Sequence, residues 1–283
     1  MYAAYWNLKE NPFLNATDAR YLFAGDQHEE AIARFTFLAE SGRQAGIITG
    51  PYGVGKSTVL QHVALNVGKK RLPVIRIDAI PGGQLPMANH ILERMKIGGA
   101  AATLPEALMK FAAAVESQPG NLTRTLLCID EAHYLAGENG LYLVHYLSNL
   151  RLFNKSTGSD EPLFTIMLAG APQLLEAVRS DPSLNQRMQI VYSLSPLSEH
   201  QTIAYIQEHM RIAGGDLWVF EQEALNALYK YSGGIPRKIN LLCDTALMLG
   251  FAAKINNINA AIINQAADDT GISKEQENNE VVP

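Results

Sequence analysis

The sequence predicts an α/β fold: a parallel sheet covered by helices, followed by a small domain built only of helices. Short apolar segments alternate with helical stretches until about Ser195, and such alternation is typical of a parallel sheet with helices on both faces. After Ser195-Pro196 the helical pattern continues without a convincing strand. A chain of 283 residues has room for one large domain and one small one.

The predicted strands are short and mostly apolar, as expected of strands that are buried on both faces. They cover Gly46–Thr49, Val74–Ile77, Thr125–Ile129, Leu163–Leu168 and Met188–Leu194. Apolar residues that recur with a helical period predict the helices. These cover His28–Ser41, Val59–Val67, Leu85–Met95, Leu104–Val115 and Leu141–Phe153 in the first domain, and Glu199–Ala213, Gln222–Tyr231, Arg237–Lys254 and Asn259–Asp268 in the second.

Turn residues and composition divide the chain into four expected segments. Aromatic residues mixed with turn residues predict an ordered, non-helical arm over 1–27. The α/β domain is expected over 28–195 and the helical domain over 196–270. The polar, Glu/Asn-rich segment 271–283 predicts a disordered tail.

The composition narrows the class of protein. Hydrophobic residues make up 47% of the chain and charged residues 18%, which fits a soluble protein with an ordinary core. The net charge of −5 argues against a protein that binds nucleic acid over its whole surface. We expect Cys128 and Cys243 to be buried free thiols in a reducing cytoplasm. No signal peptide or membrane-spanning run is recognised, so we expect any attachment to the inner membrane to be peripheral and to depend on a partner.

A glycine-rich segment follows the first predicted strand and opens the next helix. It reads Gly50-Pro51-Tyr52-Gly53-Val54-Gly55-Lys56-Ser57-Thr58 and has the P-loop spacing. Glycines allow backbone N–H groups to surround phosphate oxygens, and the helix N-terminus adds a favourable dipole. Lys56 is expected to reach the β- and γ-phosphates of ATP, and the Ser57 hydroxyl is expected to bind Mg²⁺. The sequence therefore predicts a P-loop ATPase.

A second motif, a pair of acidic residues, predicts that the chain hydrolyses ATP rather than only binding it. The apolar strand that ends at Ile129 is followed by Asp130 and Glu131. Asp130 is expected to hold Mg²⁺, and Glu131 to polarise the water that attacks the γ-phosphate. The box Asp130-Glu131-Ala132-His133 also matches a helicase motif, but a helicase of that class needs two tandem domains of this kind, and this chain has room for one.

Two arginines are candidates to complete the site. Arg187 lies just before the last predicted strand and is a candidate arginine finger, a side chain that contacts the nucleotide of a neighbouring subunit. The alternative is that it is an ordinary surface arginine near a helix end. Arg237 begins a helix after a Gly-Ile-Pro turn, where a lid would present positive charge to the nucleotide or where a salt bridge would stabilise the helix. The strand Leu163–Leu168 ends in Ala169-Gly170-Ala171 without a polar side chain, so the residue that senses the γ-phosphate there stays unassigned.

These motifs together resemble the AAA+ ATPases of the ExeA/GspA type, which are related to MshM-like and TniB/TnsC-like ATPases. The resemblance also rests on the openings Tyr5-Trp6-Asn7-Leu8 and Glu10-Asn11-Pro12-Phe13, and on Gly234-Ile235-Pro236-Arg237 near the end of the chain. It implies a base domain with a helical lid, a homo-oligomer and ATP turnover that moves a partner. By the same resemblance, Arg187 matches the arginine finger, Arg237 matches the lid sensor, and the aromatic opening packs near the adenine.

Three functions compete at this level. The first is a motor ATPase that assembles or remodels a secretion or type IV pilus-like apparatus through a protein partner in the envelope. The second is a DNA-binding ATPase that regulates transposition, which the acidic balance and scattered basic clusters such as Lys69-Lys70-Arg71 disfavour. The third is a nucleotide-gated scaffold that hydrolyses ATP slowly, which the position of Glu131 opposes.

Overall fold

The computed structural model describes residues 2–14, 19–21, 25–80, 83–117, 122–137, 140–154 and 158–273. The chain forms two compact units. The sheet unit comprises the described residues of Gln27–Pro51 and Lys56–Leu194, and the helical unit those of Met1–Asp26, Tyr52–Gly55 and Ser195–Pro283. The expected segmentation differs in one respect, because the first 26 residues and the tip of the glycine-rich loop group with the helices.

Five parallel strands form the sheet of the sheet unit, in the order β2-β3-β6-β1-β7. The central strands β1, β3 and β6 are buried along their whole length, which explains why they are continuous apolar runs in the sequence. The strands of this unit are β1 (Ala45–Thr49), β2 (Val74–Asp78), β3 (Thr125–Asp130), β4 (Arg151–Asn154), β5 (Ser159–Pro162), β6 (Phe164–Gly170) and β7 (Met188–Ser193).

Helices α3 to α8 lie between successive strands of the sheet unit, and the turns that follow the carboxyl ends of β1 and β3 carry the two motifs. In chain order they are α1 (Tyr2–Tyr5), α2 (Asp26–Glu40), α3 (Lys56–Lys69), α4 (Gln84–Met95), α5 (Leu104–Ser117), α6 (Gly140–Asn149), α7 (Gln173–Ser180), α8 (Pro182–Asn185), α9 (Glu199–Ile212), α10 (Gln222–Ser232), α11 (Pro236–Ala253) and α12 (Ala260–Thr270). None of the helices in the described ranges is both long and apolar enough to span a membrane.

The predicted helix over Leu141–Phe153 is wrong in its last part. Helix α6 ends at Asn149, and residues Arg151–Asn154 form the strand β4, which pairs with β5 in an antiparallel hairpin. Leu152 is buried, whereas Phe153 is 55% exposed. Such alternation has the period of a strand rather than a helix, and three residues are too few to make that period visible in the sequence.

The N-terminal arm contains a short helix that the sequence did not predict, Tyr2–Tyr5. Its aromatic residues fix the arm to the helical unit. The Trp6 indole N–H donates a hydrogen bond of 2.9 Å to the Leu247 carbonyl oxygen, and the Tyr2 hydroxyl donates to the Asp244 carboxylate. A side chain on Gly250 would come within 2.8 Å of the Trp6 ring, so the glycine makes room for the indole.

Two further predictions concern the cysteines and the C-terminal tail. Both cysteines are free and buried, as predicted, and burial raises the pKa of the Cys128 thiol to about 12. Most of the expected tail over 271–283 lies outside the described residues.

Candidate nucleotide-binding site

The glycine-rich loop begins where β1 ends and runs into α3. β1 ends at Thr49 and α3 begins at Lys56. Gly53 and Gly55 have φ angles of 81° and 109°, values that residues with side chains rarely adopt. The loop therefore needs glycine at these two positions to take this path.

Lys56 holds a buried ammonium group at the start of α3. The residue is only 6% exposed, and its Nζ donates hydrogen bonds of 2.9 Å to the carbonyl oxygens of Gly50 and Pro51. A buried charge is costly unless it is paired or well hydrogen-bonded. An anion at the N-terminus of α3 would meet both this charge and the favourable end of the helix dipole.

The tip of the same loop contacts the start of α11 within the helical unit. The backbone N–H of Arg237 donates to the Gly53 carbonyl oxygen at 3.3 Å. A Cβ atom on Gly53 would lie 2.7 Å from the Arg237 Cβ. Pro236 occupies the first turn of α11, a position where proline costs no hydrogen bond. Arg237 itself is exposed, so its backbone meets the loop while its side chain is accessible to solvent.

The acidic pair lies at the carboxyl end of β3. Asp130 is 8% exposed, and its Oδ1 accepts a hydrogen bond of 2.9 Å from the Glu131 N–H. Glu131 has a φ of 50°, in the left-handed region, which turns the chain sharply away from the strand. Its side chain is about 40% exposed. Two neighbouring carboxylates therefore have different environments, one buried at the strand end and one beyond it.

Strand order brings the two motifs to one edge of the sheet. β6 lies between β1 and β3, with Thr49 opposite Gly170 and Ile129 opposite Leu168. The carboxyl ends of β1 and β3 are thus two strand spacings apart, about 10 Å. In open sheets of this kind ligands bind outside the carboxyl ends of the strands.

The oxygen donors at this edge are those that Mg²⁺ prefers. Ser57 lies in the first turn of α3 and is half-buried, and Asp130 supplies a buried carboxylate. A cleft of about 280 Å³ opens beside Asp130, and its other charged lining residues are Arg76 and Asp78 of β2 and Arg94 of α4. The full lining comprises Leu60, Arg76, Ile77, Asp78, His90, Arg94, Cys128 and Asp130.

Arg187 is held by groups of the sheet unit. Its guanidinium donates to the Ser183 carbonyl oxygen at 2.5 Å, to the Ser183 hydroxyl at 2.9 Å and to Asn149 Oδ1 at 2.8 Å. Ser183 also lies 3.0 Å from His145 Nε2. These contacts hold the arginine at the start of β7, and the hydrogen bonds shown for it go to α6 and α8 rather than to the glycine-rich loop.

A histidine not assigned a role from the sequence contacts both Glu131 and the end of β6. His133 Nδ1 lies 3.3 Å from Glu131 Oε2 and accepts a hydrogen bond from the Ala171 N–H at 3.4 Å. A Cβ on Gly170 would lie 2.9 Å from the His133 backbone nitrogen. The only sequence signal for this arrangement is that a side chain able to bond a carboxylate stands two positions after Glu131.

The aromatic opening lies against the helical unit. Phe13 stacks on His209 with ring centroids 5.8 Å apart, and Tyr5 donates to the Ile255 carbonyl oxygen at 2.9 Å. The stacking on His209 accompanies the burial of Phe13, which is 2% exposed. The packing of the opening near an adenine stays a prediction.

Comparison with known proteins finds similar sequences along most of the chain. A family model described as an AAA domain matches residues 39–178. General secretion pathway protein A of Aeromonas hydrophila is 29% identical over 273 residues, which cover 94% of this chain and 48% of that protein. An uncharacterized HTH-type transcriptional regulator of Methanocaldococcus jannaschii is 25% identical over 153 residues, covering 52% of this chain and 36% of the relative. The chain thus spans half or less of the length of these curated relatives.

Solved structures share the fold across both units. The ORC2 protein of Aeropyrum pernix superposes with a TM-score of 0.70 at 15% identity, covering 95% of this chain and 73% of that one. The RuvB Holliday junction branch migration motor of Thermotoga maritima gives a TM-score of 0.58 at 17% identity, covering 91% and 73%. At these identities the likeness concerns the fold alone. Together with the five-stranded parallel sheet and the AAA-domain match, it assigns the chain the α/β fold of the AAA+ P-loop NTPases.

Proposed function

We propose that this chain, which is similar to AAA domains and to general secretion pathway protein A, binds Mg·ATP and hydrolyses it to ADP and phosphate. The observation that carries the proposal is the buried ammonium of Lys56 at the junction of β1 and α3. A P-loop lysine at a helix N-terminus is suited to bind phosphate oxygens. Gly50, Pro51, Tyr52, Gly53, Val54, Gly55 and Thr58 complete the proposed phosphate loop.

The proposed chemistry divides between the two motifs. Backbone N–H groups of the loop and Lys56 bind the phosphates, and Ser57 and Asp130 hold Mg²⁺. The metal ion neutralises charge on the phosphate oxygens. Glu131 orients the attacking water and accepts its proton. Its partial exposure beyond the end of β3 supports this role, since water must reach the carboxylate.

Two arginines complete the proposed site. Arg237, next to the loop tip through its backbone, would present its exposed guanidinium to the nucleotide. Arg187, held by Ser183 and Asn149, would act on the nucleotide of a neighbouring copy in a homo-oligomer. Fixing a long side chain in advance lowers the entropy lost when it binds charge, which supports a finger role for Arg187.

For the biological role, we propose that ATP turnover drives assembly or remodelling of a secretion or pilus-like apparatus. Similarity to general secretion pathway protein A over 94% of this chain supports this role. The protein partner would lie at the envelope, with this chain in the cytoplasm and peripheral to the inner membrane through that partner. The regulation of transposition on DNA and a slow nucleotide-gated scaffold are the alternatives.

The test combines binding with turnover. Wild-type protein should bind Mg·ATP in a calorimeter and release phosphate, whereas Glu131→Gln should bind ATP with similar affinity and release phosphate at least about 100-fold more slowly. Undiminished turnover in Glu131→Gln would assign the water-activating role to another residue. Measurement of the wild-type rate with and without duplex DNA separates the motor from the DNA-dependent switch, since only the switch is expected to respond.

A further inference from the structure

The end of β6 lacks a polar side chain at the place where an ATPase of this fold needs to detect the γ-phosphate. The strand closes with Ala169 and Gly170, and Ala171 follows. The polar group available there is the Ala171 backbone N–H, and it donates to His133 Nδ1 at 3.4 Å. The position of the histidine therefore depends on a hydrogen bond from the residue that follows β6.

The same nitrogen faces the proposed water-activating carboxylate. Glu131 Oε2 is shielded from solvent and accepts no well-directed hydrogen bond from the described residues, yet it lies 3.3 Å from His133 Nδ1. A shielded carboxylate oxygen without a donor is energetically unfavourable. A small rotation of either side chain would complete a bond between them.

A single imidazole nitrogen cannot serve both neighbours at once. Nδ1 either carries a proton and donates to Glu131, or presents its lone pair and accepts from the Ala171 N–H. The two contacts are therefore mutually exclusive. When Nδ1 accepts the hydrogen bond of the Ala171 N–H, Glu131 has no hydrogen bond from it. When Nδ1 donates to Glu131, the Ala171 N–H loses its acceptor.

Packing keeps the histidine at this junction. The turn Ala132–Leu135 lies close to β6. A Cβ atom on Gly170 would come within 2.9 Å of the His133 backbone nitrogen and 3.4 Å of the His133 Cβ. The imidazole is about 10% exposed, and it also contacts the Tyr134 ring with centroids 4.3 Å apart. These contacts keep the imidazole between Glu131 and the end of β6, so that a small rotation exchanges one hydrogen bond for the other.

We propose that His133 is a positioning residue that couples the orientation of Glu131 to the end of β6. This inference rests on the proposed ATP hydrolysis only for its kinetic consequence; the exchange of hydrogen bonds is a property of the nucleotide-free protein. Loss of the histidine leaves ATP binding intact, because Lys56 and the loop bind the phosphates. It slows the chemical step, because Glu131 no longer has a defined orientation.

The first experiment needs no nucleotide. In histidine-labelled wild-type protein, nitrogen-15 spectra should show a fraction of His133 with a proton on Nδ1, and Glu131→Ala should shift that nitrogen toward the lone-pair form. His133→Gln identifies the resonance by its disappearance. An Nδ1 signal unaffected by Glu131→Ala would overturn the proposed exchange.

The second experiment measures kinetics. His133→Ala should lower kcat about tenfold through misplacement of Glu131, with KM for ATP within twofold of wild type. His133→Gln should stay within threefold of wild type, because an amide supplies both a donor and an acceptor. His200→Ala removes an exposed imidazole on α9 and should leave kcat unchanged.

The results separate the two proposals. A wild-type rate no higher than that of Lys56→Ala would refute ATP hydrolysis, while the nitrogen spectra would still decide the role of His133. If His133→Ala turns over as fast as wild type, or if His133→Gln is as slow as His133→Ala, the positioning role is wrong. A rise in KM with unchanged kcat would also contradict it.

Discussion

At the scale of the residue, Lys56 combines a charge with nearly complete burial. Two carbonyl oxygens of its own loop, those of Gly50 and Pro51, accept its hydrogen bonds. These hydrogen bonds hold its ammonium group at the start of α3. Such a group binds an added anion more strongly than an exposed lysine would, because little water screens it.

Removal of this charge should abolish nucleotide binding without unfolding the protein. We expect Lys56→Ala to weaken Mg·ATP binding by at least about 100-fold, since a charged hydrogen bond in a shielded site is lost. Calorimetry measures the affinity, and thermal denaturation without nucleotide checks the fold. Lys69→Ala, an exposed lysine at the other end of α3, is the control. Tight ATP binding by Lys56→Ala would show that the loop is not the phosphate site.

At the scale of the element, the helical unit depends on close backbone approaches and on a buried histidine. Gly234 has a φ of 73°, and its carbonyl oxygen accepts a hydrogen bond of 2.8 Å from the Leu197 N–H. A Cβ atom on this glycine would lie 1.9 Å from the Leu197 carbonyl oxygen. The turn before α11 therefore requires glycine both for its backbone conformation and for its contact with Leu197.

The two requirements at Gly234 can be separated by substitution. Gly234→Ala should destabilise the protein by about 3 kcal/mol or more, because a backbone clash adds to the strain of a positive φ. Gly98→Ala is a control for φ alone: Gly98 has a φ of 59° and only the Lys110 side chain at 4.0 Å. Its cost should be about 1 kcal/mol. Denaturant unfolding measures both, and equal losses would contradict the proposed clash.

His209 on α9 gives the helical unit a pH-dependent stability. Its imidazole contacts Phe13, Tyr21 and Tyr205, and its Nδ1 lies 2.9 Å from the Tyr205 carbonyl oxygen. Burial lowers the pKa of His209 from about 6.5 to about 4. The unfolded chain therefore binds more protons between these two values than the folded chain does.

The sign of the effect follows from that difference. Stability should rise with pH between about 4 and 6.5, by a few kcal/mol at roughly 1.4 kcal/mol for each unit of pKa shift. His209→Phe keeps an aromatic ring against Phe13 and should flatten the profile in this window. The free energy of unfolding measured at several pH values checks this. An unchanged slope in His209→Phe would assign the pH dependence to other groups.

At the scale of the whole molecule, we propose that Arg187 acts on the nucleotide bound by a second copy of the chain. Arg187 is fixed by hydrogen bonds to α6 and α8, so its guanidinium is already held in place in the nucleotide-free chain. The mutual arrangement of copies would decide which nucleotide it contacts. A mixture of two inactive variants can show whether the arginine acts across subunits.

Mixing Arg187→Ala with Lys56→Ala should restore part of the ATPase activity that each lacks alone. The first variant keeps an intact phosphate loop, and the second supplies an intact arginine to its neighbour. Arg179→Ala, which removes an exposed arginine at the end of α7, should stay as active as wild type. Mixtures that remain as inactive as the separate variants would indicate that Arg187 acts within its own chain.

The sequence alone was enough to predict a phosphate-binding loop, because that prediction depends only on local order along the chain. A P-loop needs glycines, a lysine and a serine at fixed spacing between a strand and a helix, and that pattern was visible from Gly50 to Ser57. The apolar run that ends in Asp130 likewise predicted a buried strand with carboxylates at its end. The α/β fold with its parallel sheet followed from such local patterns and is confirmed.

Only the tertiary structure decided which distant residues meet. His133 and Ala171 are 38 positions apart, and strand order brings them together because β6 lies beside β3. The hairpin of β4 and β5 was missed because a three-residue alternation is too short to be distinguished from the end of a helix. The arm's burial against α11 depends on the absence of a side chain at Gly250. Sequence periodicity predicts which side of a helix or strand a residue lies on, whereas tertiary packing decides which distant residue it contacts.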